Sequence, residues 1–372
     1  MAKHVLITGG AGFIGSHLAE ELLRHGNRVR ILDNLSVQVH GEQCESPAYL
    51  SPEAELIRGD IRDPVALART LKGIDAVFHL GSAVGVGQSM YQIADYTSVN
   101  NLGTAMLLEA LSQQPVERLI VASSMSIYGE GLYQASDGTV RERVDRSLAQ
   151  LRAKQWEPCD VDGVPLTPMP TPETKSPCIA SIYALSKFDQ ERMCLMIGNA
   201  YNVPTVALRF FNVFGPYQAL SNPYTGVLTN FAARLLNGNA PVIFEDGLQL
   251  RDFISVYDVA RACRLALEAP EASGKVFNIG SGQPHTIIEV ALRVAAVLGR
   301  DAIRPRILGQ YRAGDIRHCY ADVSLARKFL GFEARVELNE GIESMAEWLE
   351  GQFVQDRSPI ATHELAARGL VI

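Results

Sequence analysis

The chain has 372 residues, which at ordinary domain sizes means about two domains. Apolar residues make up 47% and charged residues 20%, the balance of a globular protein with a sizeable core. The formal charge of −7 argues against a nucleic-acid surface, which needs a basic face, though one local basic pocket for phosphate is allowed.

The opening MAKHVLITGG has one Lys and a short apolar run that stops at glycines, too short for a secretory signal. No stretch approaches the roughly 18 apolar residues of a spanning helix, so no membrane partner is expected. Cys44, Cys159, Cys178, Cys194, Cys263 and Cys319 stand far apart with no C-x-x-C pair. They read as reduced thiols in a cytosolic protein.

HVLIT (4–8) is a short β-rich run that leads through glycines into an amphipathic stretch, 13–25. VRILD (29–33) is the next strand and ends on Asp33. ELIRG (55–59), AVFHL (76–80) and RLIVASS (118–124) come after it, with helical patterns near 64–72 and 99–113. Strands separated by helices of this size predict an α/β fold with a doubly wound parallel sheet of the Rossmann type. Residues 1–213 are assigned to this nucleotide-binding domain. It carries an insertion at 130–178, read as one helix over about 140–154 and then an extended loop with Pro158, Pro165, Pro168, Pro170, Pro172 and Pro177. The helical pattern resumes over 181–201, and VALRF (206–210) is another buried strand. Residues 214–350 form a smaller mixed α/β substrate lobe with loops such as SNPYTG (221–226), except that 251–268 returns to the first domain. Residues 352–372 read as a polar tail.

The strand HVLIT runs into TGGAGFIGSH, where Gly9, Gly12 and Gly15 form G-x-x-G-x-x-G and open directly onto a helix. Such glycines permit a tight turn, a close backbone approach to a pyrophosphate, and close helix–strand packing. The helix N-terminus adds free N–H groups and a positive dipole end. Asp33 ends the second strand, where a carboxylate accepts both ribose hydroxyls and repels a 2′-phosphate, so NAD is expected over NADP.

Tyr183 and Lys187 stand four residues apart in YALSK at a helix start, which puts both on one face. A free phenol has a pKa near 10, so only about one in a thousand is ionised at neutral pH. A nearby ammonium and a nicotinamide cation favour the phenolate, a general base for a hydroxyl proton. Ser124 ends the strand RLIVASS and can bond the same substrate oxygen.

These residues together resemble the extended short-chain dehydrogenase/reductase superfamily, in its nucleotide-sugar epimerase/dehydratase branch. TGGAGFIG, the DI of GDIRD, SSMSIYG, YALSK, RFFNVFGP and RDFISVYDVA match in order, over roughly 1–129 and 176–345. The resemblance implies bound NAD and a nucleotide-diphosphate sugar as substrate. It places Asp60 and Ile61 at the adenine, and Phe13, Ile14, Asn34 and Leu80 against the cofactor. It has Lys187 also hold the nicotinamide ribose, Met125 beside the substrate, Asn212 at its phosphates, and Arg251 and Arg312 (in RAGD) clamping the diphosphate. It further implies a homodimer through helices near 91–113 and 181–201.

Members of this branch first oxidise a sugar hydroxyl to a ketone and differ in the fate of that ketone. A 4,6-dehydratase carries Asp-Glu or Glu just after its Ser/Thr, and here those positions are Met125 and Ser126. Met transfers no proton, so dehydration and decarboxylation are disfavoured and 4-epimerisation is the expected cycle. The long spacer between Ser124 and Tyr183, with WEPCDVDGVPLTPMPTPETKSP, is similar to that of the dTDP-L-rhamnose 4-epimerases, which points to a dTDP-6-deoxy-L-hexose. The alternatives are a UDP-sugar 4-epimerase, a 4-ketoreductase, which usually prefers NADPH, and a catalytically silent NAD-binding sensor. Cys159, Asp162 and Cys178 give three mixed ligands without a fourth, so no metal is expected. The Pro-rich insertion reads more simply as a lid over the sugar pocket.

Overall fold

Short apolar runs alternating with amphipathic helices build a seven-stranded, all-parallel sheet in the computed structural model, which describes residues 2–42, 45–219, 226–350, 352, 356 and 358–371. From edge to edge the order is Val276–Ile279, Thr205–Phe210, Arg118–Ser124, Ala76–His79, β1 (His4–Thr8), β2 (Arg28–Asp33) and Glu55–Arg58. The chain leaves β1 toward one edge and returns on its other side. The switch point thus lies between β1 and Ala76–His79, where open α/β sheets bind ligands. Leu6, Ile7, Phe78 and Ile120 are solvent-free, as expected for strands covered on both faces. Helix α1 (Phe13–Arg24) and Val256–Glu268 pack over one face through Leu18, Leu22, Val259 and Cys263. Pro64–Thr70, Gly103–Gln113 and Ile182–Ala200 cover the other through Leu67, Leu107, Leu111 and Cys194.

The smaller lobe has its own core of Phe214, Leu228, Phe231, Phe253, Val290, Val294, Ile342 and Met345. Its central strand is Leu250–Ser255, which pairs with Asn212–Phe214, Pro284–Thr286 and His318–Cys319. The helix after it, Val256–Glu268, packs on α1, so of the expected return over 251–268 only 256–268 belong with the large sheet, while 251–255 stay in the smaller lobe's central strand.

Four expectations need correction. Val276–Ile279, assigned to the smaller lobe, is the edge strand of the large sheet, paired in parallel with Thr205–Phe210. A four-residue apolar run carries too little pattern to show which sheet it joins. In the insertion, only Leu148–Arg152 is helical within 140–154. An Asp137–Gly138 turn makes a hairpin of Leu132–Gln134 and Val140–Arg141, to which Thr167–Met169 adds a third antiparallel strand. Ser147 caps the short helix by accepting from Gln150 N at 3.2 Å, so the helix starts only there. The tail also contains a helix, Ser358–Ala367, whose Leu365 is buried beside Gly87 and whose Glu364 accepts from Tyr91 Oη at 2.6 Å. Finally, the insertion is a brace and not a lid. Glu173 accepts from Asn278 N at 2.7 Å, buried Lys175 donates to Tyr128 O at 2.9 Å, and Arg146 reaches Glu245 of the smaller lobe at 2.7 Å. The loop reading of 221–226 falls, Gly226 apart, outside the described residues, as does Cys44.

Candidate active site

β1 delivers the glycine loop to the switch point. Gly9 N donates to Leu32 O at 2.8 Å and Leu80 N donates to Thr8 O at 3.1 Å, which fixes the turn between its two neighbouring strands. Gly9 has φ +68°, and a Cβ there would lie 2.8 Å from the Gly81 backbone. A Cβ on Gly15 would lie 2.5 Å from Gly10 Cα and from Gly9 O. Gly12 begins α1 without a side-chain cap, so the first-turn N–H groups point out of the loop with their dipole end uncovered. Gly15→Ala is therefore expected to push the loop apart and weaken NAD binding tenfold or more, about 1.4 kcal/mol. Calorimetric titration checks it; an unchanged affinity would contradict the close-approach role.

Asp33 ends β2, buried, and accepts from Ala11 N at 3.1 Å and Leu35 N at 2.9 Å, which aims the carboxylate across the loop. His40 Nε2 stands 3.8 Å from Asp33 Oδ1. Asn34 donates to Asp60 at 3.3 Å, and the Arg62 guanidinium holds the Asp60 carboxyl down to about 2.

One cavity of about 620 Å³ begins here and runs along the strand ends into the smaller lobe. Gly9, Gly12, Phe13, Ile14, Gly15, Asp33, Asn34, Asp60, Ile61, Leu80, Ser124, Tyr183, Lys187 and Asn212 all line it. The shape is what a dinucleotide needs: a glycine cradle, a helix N-terminus and an acidic strand end at one side, with reactive groups further along. Asn212 Oδ1, an acceptor, is buried there with no hydrogen-bond donor among the described residues. No residue of 130–178 is among the walls. Sequence reasoning missed Gln88, Gln218 and Tyr96 in the lining.

Ser124 and Tyr183 meet because Ser181 caps the helix Ile182–Ala200, accepting from Ala184 N at 3.1 Å, and Ser89 Oγ accepts from Tyr183 N at 3.0 Å. Burial pushes the Tyr183 phenol up, and its hydrogen bond with Ser124 pulls it back. Lys187 Nζ donates to Gln190 Oε1 at 2.7 Å and Ser82 Oγ at 3.0 Å. Burial brings Lys187 down to about 7.

Three expected substrate contacts lie off this cavity wall. Met125 packs with Ile127, Tyr128, Phe211 and Cys319. Arg251 donates to the carbonyls of Leu250, Ile316 and Arg317, and reaches Asp315 Oδ1 at 3.4 Å. Arg312 makes a two-point pair with the same Asp315, at 2.8 and 3.1 Å, and stacks over Phe244. The two arginines are thus adjacent, joined through one carboxylate. Among the described residues no cluster of three or more His, Cys, Asp or Glu suits a metal, and no helix is long and apolar enough to cross a membrane.

A doubly wound sheet with a glycine loop, an acidic second strand and a Ser–Tyr–Lys set defines a dinucleotide-dependent enzyme of the short-chain dehydrogenase/reductase type. Residues 5–148 and 163–280 match the NAD dependent epimerase/dehydratase family, and the chain belongs to it. It is 35% identical over 351 residues to a dTDP-L-rhamnose 4-epimerase of Burkholderia thailandensis, covering 93% of this chain and 95% of that one. It is similar to the UDP-glucose 4-epimerase of Thermotoga maritima solved with UDP-glucose, with TM-score 0.75, 29% identity, and 93% and 98% of the two chains covered. It is also similar to the UDP-glucuronic acid 4-epimerase of Bacillus cereus solved with UDP-glucuronic acid and NAD, with TM-score 0.77, 26% identity, and 94% and 100% covered. The chain is an NAD-dependent member of a family of nucleotide-sugar epimerases.

Proposed function

We propose that this protein inverts carbon 4 of a nucleotide-diphosphate sugar, and that the sugar is a dTDP-6-deoxy-L-hexose such as dTDP-L-rhamnose. The observation that carries the first part is Ser124 beside Tyr183 on one wall of a cavity that is continuous with the glycine cradle. Met125, packed in an apolar cluster, offers no acid/base group for elimination at carbons 5 and 6. The dTDP-linked sugar is supported by the 35% identity with the Burkholderia thailandensis relative.

When bound, NAD supplies the hydride acceptor and donor for carbon 4, so no net oxidation results. Tyr183, as phenolate, takes the 4-hydroxyl proton, and Ser124 donates to the same oxygen as charge develops. Lys187, charged, stabilises the phenolate and holds the nicotinamide ribose. The 4-keto sugar turns in the cavity, and Tyr183 returns the proton to the inverted hydroxyl. Asn212 takes the substrate phosphates. Arg251 and Arg312 clamp the diphosphate, which must displace Asp315 from their guanidinium groups. Asp33 holds the adenosine ribose, with Asp60 and Ile61 at the adenine.

We place the enzyme in the cytosol as a homodimer. The exposed apolar side chains Ile93, Leu102, Leu185 and Met196 lie on the segments 93–113 and 182–200, which supports pairing there. A second substrate reading, a UDP-hexose, is favoured by the similarity to solved enzymes holding UDP-sugars. Incubation with dTDP-L-rhamnose, UDP-glucose and UDP-N-acetylglucosamine, with products read by NMR, separates the two. Conversion of dTDP-L-rhamnose is expected. Conversion of a UDP-sugar with dTDP-L-rhamnose untouched would overturn the sugar assignment.

A further inference from the structure

Lys187 and Gln190 are three residues apart on the helix Ile182–Ala200, hence on one face. Gln190 is wholly buried, and nothing in the proposed catalytic cycle uses it. Its Oε1 accepts from Lys187 Nζ at 2.7 Å and from Ser82 Oγ at 3.1 Å, while Ser82 Oγ also accepts from Lys187 Nζ at 3.0 Å. The three groups form a closed triangle around the ammonium.

Hydrogen-bond polarity dictates which way the Gln190 amide faces. Thr104 has one hydroxyl proton, and it goes to Asn100 O at 2.5 Å. Its oxygen therefore accepts from Gln190 Nε2 at 2.9 Å. His79 Nε2 stands 2.8 Å from the same oxygen and 3.2 Å from Gln190 Nε2, and His79 Nδ1 stands 2.8 Å from Thr8 Oγ1, which accepts from Gly81 N at 3.2 Å beside Gly9 of the glycine loop. The ammonium only donates, so Gln190 turns Oε1 to Lys187 and Nε2 to Thr104. Burial and the Lys187 charge keep His79 neutral, down at about 3.

We infer that Gln190, with Ser82, is a positioning residue: it fixes where the Lys187 ammonium sits and supplies the neutral acceptors that keep it charged inside the protein. The inference rests on the role given to Lys187 in the proposed function. The other titratable groups facing Lys187 are His79 from Ala76–His79, and Tyr183, Glu191 and Cys194 from its own helix. Glu191 is committed to Arg209 in a two-point pair at 2.7 and 2.9 Å and to Ser123 at 2.7 Å. His79 is neutral, and burial pushes the Cys194 thiol up to about 12. Glu191 still raises Lys187 from within its pair with Arg209, but among the described residues the ammonium hydrogen-bonds only the amide and the hydroxyl, which take over its solvation.

The test is a titration of Lys187 by NMR in NAD-loaded protein labelled at the lysine ε carbons, the signal assigned by Lys187→Arg, alongside turnover with the panel of nucleotide sugars. Gln190→Met preserves length and removes the acceptor. It is expected to move the Lys187 midpoint down by about half a pH unit or more, since the charged form loses a partner. The alkaline limb of the kcat profile should shift down with it, with kcat reduced about tenfold and KM for the sugar nucleotide held within about twofold. Gln190→Glu puts a carboxylate beside the ammonium at the loss of the donor to Thr104, so it should move the midpoint upward, opposite to Met. Ser82→Ala should lower the midpoint by a smaller step, and with Gln190→Glu it carries the test if the Met variant does not fold. A midpoint unmoved in these variants, or one that Glu moves down, would overturn the inference. A parent protein that converts no nucleotide sugar would refute the proposed function, while the midpoint shifts would still decide the role of Gln190.

Discussion

Tyr183→Phe is expected to lower kcat by about a hundredfold to ten-thousandfold, the usual worth of a positioned general base, while NAD binding stays unchanged. The substitution deletes one oxygen. Among the described residues of the cavity wall, that oxygen is the group beside Ser124 that the proposed cycle uses as its base, since Ser124 has too high a pKa and Met125 packs in an apolar cluster. The glycine cradle and Asp33, which hold the dinucleotide, lie on other elements. Phe also keeps the edge-to-face contact with Tyr96, whose ring centre is 6.4 Å from that of Tyr183, so the helix start is undisturbed. Initial rates on the converted sugar, with retained NAD measured after denaturation, check both halves. A Phe variant within about threefold of the parent would remove the phenol from the mechanism.

Arg317→Met is expected to cost about 3–5 kcal/mol of stability, as when one partner of a buried ion network is removed. The Arg317 side chain is solvent-free and sits among three carboxylates. It donates to Glu245 at 2.9 Å, to both oxygens of Asp246 at 2.6 and 2.9 Å, and to Glu157 at 3.0 Å. Its backbone N–H donates to Glu130 at 2.7 Å. Glu157 and Glu130 belong to the insertion, and Glu245 and Asp246 to the smaller lobe, so this one cation joins the two. Met fills the space but leaves Glu245, itself 1% exposed, with Arg146 alone. Lys is a poor replacement, because a single ammonium cannot match the fork that reaches all three carboxylates. Against its burial, His318 and Arg317 together hold the Glu157 carboxyl well below the usual carboxylate range, down to about 2. A depressed carboxyl stabilises above its unfolded value and loses that contribution as pH falls toward the folded one. The parent should thus lose stability between about pH 4.5 and 2, and the Met variant should lose less over that window. Urea unfolding at neutral and acid pH measures both. A change under about 1 kcal/mol would show that the network adds little.

The nucleotide half was readable because its physics is local. Gly9 and Gly15 have to be small where a Cβ would meet Gly81 or Gly10, and Asp33 has to end β2. YALSK placed Tyr183 and Lys187 on one helical face, and the structure brings Ser124 to the phenol. The insertion was not readable. Val140, Val144, Leu148 and Leu151 are spaced like a helix face, but the Asp137–Gly138 turn draws Val140 into a hairpin while Val144 packs with Tyr133 and Leu166. Nor could sequence spacing show that Asp315 would hold both Arg251 and Arg312, a partnership made by folding alone. Gln190 was within reach, three residues after Lys187 on the same face, but its meaning depends on Thr104, His79 and Thr8, which the sheet gathers from distant positions.

The most direct test uses the nucleotide sugar that the panel identifies, carrying deuterium at sugar carbon 4, with the protein's own retained NAD. Product NMR should show inverted carbon 4 with the deuterium kept, because the hydrogen leaves and returns inside the cavity walled by Ser124, Tyr183 and Lys187. Deuterium lost to solvent during inversion, or inversion at another carbon, would contradict the account.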